Sequence, residues 1–131
     1  MKIVRNGSQT AAKAPPASFS GNVRRDWLFA APEPAHLSTS CVSFEPGGRT
    51  AWHTHPLGQA LFIVFGCGWV QIWGQEKQDV KVGDIVWFEP GEKHWHGATA
   101  TTAMTHISCA ESLDGSAVEW MEHVTDAQFN G

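Results

Sequence analysis

Residues 47–59 read GGRTAWHTHPLGQ and place two histidines, His53 and His55, two positions apart. Because side chains alternate between the two faces of a β-strand, a strand here projects both imidazoles from one face and turns Trp52 and Thr54 to the other. Two imidazoles side by side form a candidate metal-binding pair, although a paired-histidine strand also occurs as a surface feature.

A second histidine segment follows downstream, where residues 90–98 read PGEKHWHGA. His94 and His96 are again two positions apart, so a strand here directs both rings to the same face. The Pro90-Gly91 pair before them is a turn signal, because proline fixes φ and glycine accepts a positive φ. The sequence thus predicts two separate histidine-bearing strands.

Short apolar runs recur around these segments at the intervals expected of strands. The predicted strands cover residues 23–29, 38–44, 51–55, 60–65, 69–73, 79–82, 85–88, 93–98 and 103–109. Turn signals lie between them at residues 46–48, 56–58, 66–68, 74, 83–84 and 90–91. Many short strands joined by glycine and proline turns predict an all-β sandwich or closed barrel, and closure also removes exposed strand edges.

The two ends of the chain differ from this pattern. Residues 1–21 are rich in small and polar residues and contain Pro15 and Pro16, which predicts an extended N-terminal arm over the surface or across a neighbouring subunit. Residues 125–128 read TDAQ and match a helix capping box, which predicts a short C-terminal helix. Residues 118–124 fit either a last strand or a helical turn.

Composition limits the classes of function. The chain has 131 residues, 42% of them hydrophobic, with seven Trp and seven Phe, and no linker divides it. We therefore expect one barrel domain at residues 22–131 behind the arm. The net charge of −4 and the scattered basic residues argue against a nucleic-acid partner. No apolar run reaches transmembrane or signal-peptide length, so we expect no membrane partner and a cytoplasmic protein.

The three cysteines, Cys41, Cys67 and Cys109, lie far apart in the sequence. They show none of the close spacings of zinc knuckles or redox dithiols. We interpret them as buried, reduced thiols, and no histidine or basic residue adjoins Cys67 to make it a nucleophile.

The two histidine segments and their glycines resemble the paired signature motifs of the cupin superfamily. The matching positions are Gly47, His53, His55, Gln59 and Gly66 in the first motif and Gly83, Pro90, Gly91 and His94 in the second. The resemblance covers roughly residues 37–110 and implies a jelly-roll β-barrel with a metal ion inside. It also implies the metal ligands, which are His53, His55, Gln59 and His94.

Gln59 departs from the motif, which has a glutamate at this position. An amide oxygen can coordinate a metal but brings no charge, so three imidazoles and Gln59 leave the ion with its full positive charge. Such a site favours deprotonated oxygen ligands, as Lewis-acid chemistry requires. The alternative is that Gln59 only forms a hydrogen bond and leaves a three-histidine site.

Two further histidines are candidate acid/base groups. His96 shares the face of the ligand His94, and His106 lies on the next predicted strand, in phase with Ala110. An imidazole with an ordinary pKa of about 6.5 carries protons in either direction near neutral pH. The alternatives are that His96 orients a ligand and that His106 is a hydrogen-bonded core residue. His36 and His123 lie outside the motifs, and we expect both at the surface.

The residues of both segments and of the stretch 102–106 resemble those of small bacterial cupins related to cupin hydroxynitrile lyases. Some members of that group depend on manganese. The resemblance implies a metal-dependent lyase that cleaves or forms cyanohydrins, with Mn as the leading metal and Fe, Ni, Co or Zn as alternatives. The alternative functions are a quercetinase-like dioxygenase or other cupin oxidoreductase, and a non-catalytic module that binds a small molecule.

We expect a small-molecule substrate, such as a cyanohydrin, an aldehyde or another small aromatic compound. Five apolar side chains are available to line its pocket: Val42, Phe44, Leu61, Ile63 and Trp87. The arm and the apolar surface of so small a barrel also predict a homodimer or homotetramer.

Overall fold

The computed structural model describes all residues from 1 to 131 and is almost entirely β. Its strands are β1 (Ala12–Lys13), β2 (Phe19–Ser20), β3 (Val23–Ala30), β4 (Leu37–Phe44), β5 (Arg49–Thr50), β6 (His53–Thr54), β7 (Gln59–Ile72), β8 (Gln78–Lys81), β9 (Ile85–Phe88), β10 (His94–Ala98), β11 (Met104–Glu111) and β12 (Glu119–Trp120). One helix, α1 (Asp126–Asn130), follows them. The prediction of an all-β jelly-roll barrel with a short terminal helix is confirmed.

The strands form two antiparallel sheets that share β7. The first sheet has the order β1-β3-β4-β11-β7-β9. In the second sheet β10 pairs with β7 on one side and with β5 and β6 on the other, while β8, β2 and β12 lie at its margins. The inner faces of the two sheets enclose the interior of the barrel.

The turn predicted at residues 66–68 is wrong. β7 continues through these residues and crosses from the first sheet to the second. Gly66 adopts a φ of 68°, and a Cβ atom there would lie 2.0 Å from the carbonyl oxygen of Ala103. The glycine therefore permits a close backbone approach at the corner of the barrel and does not reverse the chain.

The strand predicted at residues 51–55 is shorter in the structure. Ala51 and Trp52 interrupt it and separate β5 from β6, because Trp52 pairs with Glu122 and Met121 of the C-terminal segment instead. The segment left open, residues 118–124, contributes the two-residue strand β12, which pairs with β6.

Two apolar clusters stabilise the barrel. The larger fills its interior and includes Phe44, Leu61, Ile63, Phe88 and Met104. The smaller lies outside the second sheet, where α1 covers the outward-facing residues, and it consists of Trp52, Trp95, Val124 and Phe129. Full burial of each large apolar side chain contributes roughly 1.5–3 kcal/mol.

Helix α1 is held in place by local and distant contacts. The capping box predicted from the sequence is present. The Thr125 hydroxyl accepts a hydrogen bond from the backbone N–H of Gln128, and the side-chain oxygen of Gln128 accepts one from the backbone N–H of Thr125. The buried Arg49 guanidinium donates to the carbonyl of Val124 and forms an ion pair with Asp126 at 2.8 Å. These bonds fix the helix against β5.

The N-terminal segment lies along its own chain. β1 pairs with β3, β2 pairs with β5, and Ala14 between them is 3% exposed. The Phe19 ring contacts the Trp120 ring at a centroid distance of 5.4 Å. No helix of the chain has the length and apolar character that a membrane span requires.

Candidate metal centre

A cavity of about 190 Å³ opens at the end of the barrel between the two sheets. One side is the histidine wall, in which His53, His55 and His96 line the cavity and the His94 ring packs against His53 from behind. These four residues lie on and beside β6 and β10. The other side is the polar wall, which consists of Arg25, Ser40, His106 and Ser108 on β3, β4 and β11. Phe19 and Trp120 help to form the rim.

Strand register brings the histidine wall together. His53 and His94 are direct partners across β6 and β10, with ring centroids 4.3 Å apart. The His55 ring lies 5.0 Å from His53 and 5.5 Å from His94. The alternation predicted from the sequence is also observed, since Trp52 and Trp95 face outward into the smaller apolar cluster.

Backbone carbonyls orient three of these rings. The Nδ1 atoms of His53, His55 and His94 lie 2.9, 2.6 and 2.7 Å from the carbonyl oxygens of Ala51, Ala117 and Glu92. A carbonyl can only accept, so each Nδ1 carries a proton and each neutral ring has its lone pair on Nε2. A hydrogen bond to a carbonyl from the far ring nitrogen is the usual support of a metal-ligating histidine.

The Nε2 atoms fit a bound cation. Nε2 of His55 is buried and has no hydrogen-bond partner. Nε2 of His94 lies 3.3 Å from the side-chain oxygen of Gln59. The two atoms are close enough to bind one cation together. His53, His55, His94 and Gln59 are the ligands that the sequence predicts, and these candidates are hereafter called the ligand set. Imidazole nitrogen with amide oxygen suits a divalent transition metal.

His96 belongs to the same cluster. Ring nitrogens of His53, His94 and His96 lie within 4.8 Å of one another, and this is the one group of three that the structure brings so close, so distance alone favours His96 over His55. Hydrogen bonding separates the two sets. The Nδ1 atom of His96 bonds to Nε2 of His106 at 3.0 Å and not to a carbonyl, which pairs His96 with another imidazole.

Burial keeps the histidines of both walls neutral. It is the largest cause that lowers the pKa of His94 to about 3 and that of His106 to about 4. Burial, followed by the neighbouring histidines, also holds the pKa values of His53 and His96 well below the usual 6.5. Neutral imidazoles are the form that binds a metal and the form that accepts a proton.

Two aromatic residues that the sequence analysis did not single out fix the ring planes. Phe88 stacks on His94 with ring centroids 3.6 Å apart, and Trp120 packs on His53 at 4.6 Å. The alternation of β9 was a signal for Phe88, since Val86 and Phe88 face inward. No local signal pointed to Ala117, which contributes only its carbonyl.

The polar wall contains residues that the sequence analysis missed. The hydroxyls of Ser40 and Ser108 lie 2.9 Å apart on neighbouring strands. Arg25 is paired with Val42, whose partner on the other side is His106, so the three side chains form one row on the inner face. Of these residues, only Val42 and His106 were candidates from the sequence.

The predicted apolar lining is correct only in part. Val42 and Ala110 line the cavity, whereas Phe44, Leu61 and Ile63 pack in the interior core. The prediction for Trp87 is wrong, because this side chain lies on the outer face of β9 and is 53% exposed. Its in-phase neighbour Ile85 also points away from the barrel, while Phe88 occupies the inner position.

Outside the cavity, the histidines lie where the sequence indicates, but the cysteines do not. His36 and His123 are exposed. Cys41, Cys67 and Cys109 are free thiols and only partly buried, which is less burial than predicted. The Cys67 thiol donates to the hydroxyl of Thr102, and none of the three cysteines lines the cavity.

Comparison with known proteins gives concordant matches. The profile of the family described as Cupin domain matches residues 40–109. A protein of Granulicella tundricola named (R)-mandelonitrile lyase is 59% identical over 129 residues, which cover 98% of each chain.

Solved structures show the same fold. A cupin-like protein from Thermotoga maritima is 32% identical, with a TM-score of 0.84 over 99% of this chain and 96% of the other. A cupin 2 conserved barrel domain protein from Rhodopseudomonas palustris is 18% identical, with a TM-score of 0.71 over 97% and 87% of the two chains.

Proposed function

We propose, given that the chain belongs to the cupin family and is a lyase, that it cleaves and forms cyanohydrins with one divalent transition metal in the ligand set. The observation that carries the proposal is the meeting, in one cavity, of converging uncharged metal donors with the buried, neutral pair of His96 and His106. The 59% identity to a protein named (R)-mandelonitrile lyase supports the same class of reaction.

The ligand set favours Lewis-acid chemistry. A bound divalent ion supplies Lewis acidity, which lowers the pKa of a substrate hydroxyl. Because the ligand set carries no negative charge, it leaves the positive charge of the ion uncompensated. We propose Mn as the ion, while Fe, Ni, Co and Zn share its preference for imidazole and oxygen ligands.

His96 and His106 provide the base. When Nδ1–H of His96 donates to Nε2 of His106, the lone pair of His96 is on Nε2, which is buried and has no other partner. His96 also lies beside His53 and His94, so this lone pair is placed to take the proton of a substrate hydroxyl. The hydrogen bond to His106 then spreads the positive charge over both rings.

The bond changes balance without a redox partner. As the hydroxyl loses its proton to His96, its carbon–oxygen bond becomes a carbonyl, and the bond to the nitrile carbon breaks with its electron pair on cyanide. The products are an aldehyde or ketone and cyanide, which takes up the proton. In the reverse direction cyanide attacks the carbonyl carbon, and the histidine pair returns the proton to oxygen.

Mandelonitrile cleavage tests the proposal. Manganese-loaded protein should release benzaldehyde, followed by its absorbance, with an enantiomeric preference and in proportion to the metal content measured by elemental analysis. His36→Ala is the matched control, because His36 is exposed and outside the cavity. No release above that of His106→Ala would refute the proposal, and oxygen consumption with a flavonol or aromatic diol would favour the oxidoreductase alternative.

The cavity size limits the substrate. Its volume of about 190 Å³ is below the roughly 300–1,000 Å³ of common ligand pockets. This small volume favours a small cyanohydrin, an aldehyde or another small aromatic compound as substrate.

The cytoplasmic location of the protein stays a prediction.

A homodimer or homotetramer is part of the proposal. The outer face of the first sheet exposes Phe62, Val64, Ile85 and Trp87, which lie on the neighbouring strands β7 and β9. Adjacent exposed apolar side chains of this kind favour burial against another subunit. Light scattering during size-exclusion chromatography measures the state, and a monomer at micromolar concentration would contradict this part.

A further inference from the structure

Arg25 brings a fixed positive charge into the cavity. It lies on the inner face of β3, in the same row as Val42 and His106. No Asp or Glu is among the residues that line the cavity. The guanidinium forms none of the three ion pairs of the chain and has no hydrogen bond to another residue.

The other arginines of the barrel differ in this respect. Arg24, the residue before Arg25, faces outward and pairs with Asp26 at 2.5 Å. Arg49 is buried and pairs with Asp126. A cation that faces a partly enclosed cavity without a carboxylate is stabilised only by water or by an anion that enters the cavity. The contrast points to a ligand as the missing partner of Arg25.

The neighbouring serines add hydrogen-bond donors. Ser40 and Ser108 share one hydrogen bond at 2.9 Å, so the hydroxyl that accepts it keeps its own hydrogen free to donate. Arg25 contributes a planar group with five N–H donors, the form of cation that suits compact anions. The polar wall thus offers several donors and one positive charge on the side opposite the ligand set.

We propose that Arg25, Ser40 and Ser108 form a subsite for a small anion, and that in the proposed lyase reaction this anion is cyanide. The assignment of cyanide rests on the proposed function, whereas the anion subsite does not. During cleavage, negative charge moves from the substrate oxygen to the departing cyanide, so stabilisation is needed at a second place. The polar wall supplies this stabilisation through the positive charge of Arg25, which the uncharged histidine wall does not offer.

The spacing agrees with this division. Arg25 and His106 are two strands apart in one row, which places their Cα atoms about 10 Å from each other at the usual strand spacing. Arg25 lines the same cavity as His53, His55 and Gln59 of the ligand set. An oxygen at the ligand set and a cyanide at Arg25 can therefore belong to one small molecule within the cavity.

Kinetics in the direction of synthesis test the cyanide assignment. In manganese-loaded protein, Arg25→Gln should raise the KM for cyanide about tenfold or more, as loss of a charge-assisted hydrogen bond predicts, and should leave the KM for benzaldehyde unchanged. Arg25→Lys should restore part of the effect, and Arg24→Gln is the matched control that should change neither KM. An equal KM for cyanide in Arg25→Gln and the parent protein would overturn the assignment.

Binding without turnover tests the subsite itself. Calorimetry with azide, a linear monoanion, should give a Kd at least tenfold weaker for Arg25→Gln than for Arg24→Gln at the same metal content. Retained Arg25-dependent azide binding in a protein that cleaves no cyanohydrin would support the subsite while refuting the proposed function. Unchanged azide affinity would overturn the subsite, and an effect on formate but not on azide would overturn the assignment to cyanide.

Discussion

The two walls of the cavity differ in how their side chains are held and charged. In the histidine wall, backbone carbonyls fix the rings of His53, His55 and His94, and burial keeps the side chains uncharged. In the polar wall, Arg25 has no partner within the chain, and the two serines bond only to each other. One wall is organised to bind a cation, and the other is organised to receive an anion. Separation of opposite charges is what heterolysis of a carbon–carbon bond requires.

The largest expected effect comes from the histidine wall. His94→Ala removes a donor and also the ring on which Phe88 stacks, so metal content should fall well below one ion per chain and cyanohydrin cleavage should be lost. Elemental analysis after dialysis measures the metal, and His36→Ala serves as the matched surface control. Full metal occupancy in His94→Ala would exclude it from the ligand set.

A change in the polar wall should separate chemistry from metal binding. His106→Ala should keep its metal and lose about 10²–10⁴-fold in kcat, because His96 loses the partner that shares the proton charge. Added imidazole should restore part of the rate by occupying the space of the missing ring. Loss of metal together with activity would instead assign His106 a structural role.

Acid should destabilise the metal-free protein through both walls. The pKa values of His94 and His106 are about 3 and about 4 in the folded chain and near 6.5 after unfolding, so the unfolded state binds more protons between these limits. The stability is complete above pH 6.5 and is lost as the pH falls. His106 alone accounts for about 2 kcal/mol between pH 7 and 5.

Urea unfolding at both pH values measures this loss. His106→Asn should show a smaller difference between pH 7 and 5 than the parent protein, since it lacks one of the titrating groups. Equal stability of the parent protein at the two pH values would contradict the neutral, buried state of these histidines.

The smallest effect is expected where the walls meet, at Gln59. Gln59→Glu should retain the metal but lower kcat for cyanohydrin cleavage about tenfold, because a carboxylate offsets the positive charge on which the Lewis-acid step depends. Elemental analysis and kcat are measured on the same preparation, with Gln75→Glu as an exposed control beyond the cavity. Unchanged kcat would remove the argument that connects an uncharged ligand set to lyase chemistry.

Most of the fold could be predicted from the sequence, but the barrel corner at residues 66–68 was predicted wrongly as a turn. Alternating apolar residues and glycine and proline turns were enough to predict most strands, because both signals depend on neighbours in the chain. Residues 66–68 carry the same glycine signal, yet β7 passes through them. Gly66 is required there by the backbone of Ala103, which is distant in sequence, so no local pattern distinguishes it from a turn.

The sequence determined that His53 and His55 share one face and that His94 and His96 share another, because side chains alternate along a strand. The meeting of the two pairs depends on the register that sets His53 opposite His94. Tertiary structure alone decided the polar wall. Arg25, Ser40 and Ser108 come from three strands and meet through cross-strand register, which depends on how whole sheets pair. The Ala117 carbonyl that orients His55 is likewise set by packing, because a backbone oxygen leaves no trace in residue type.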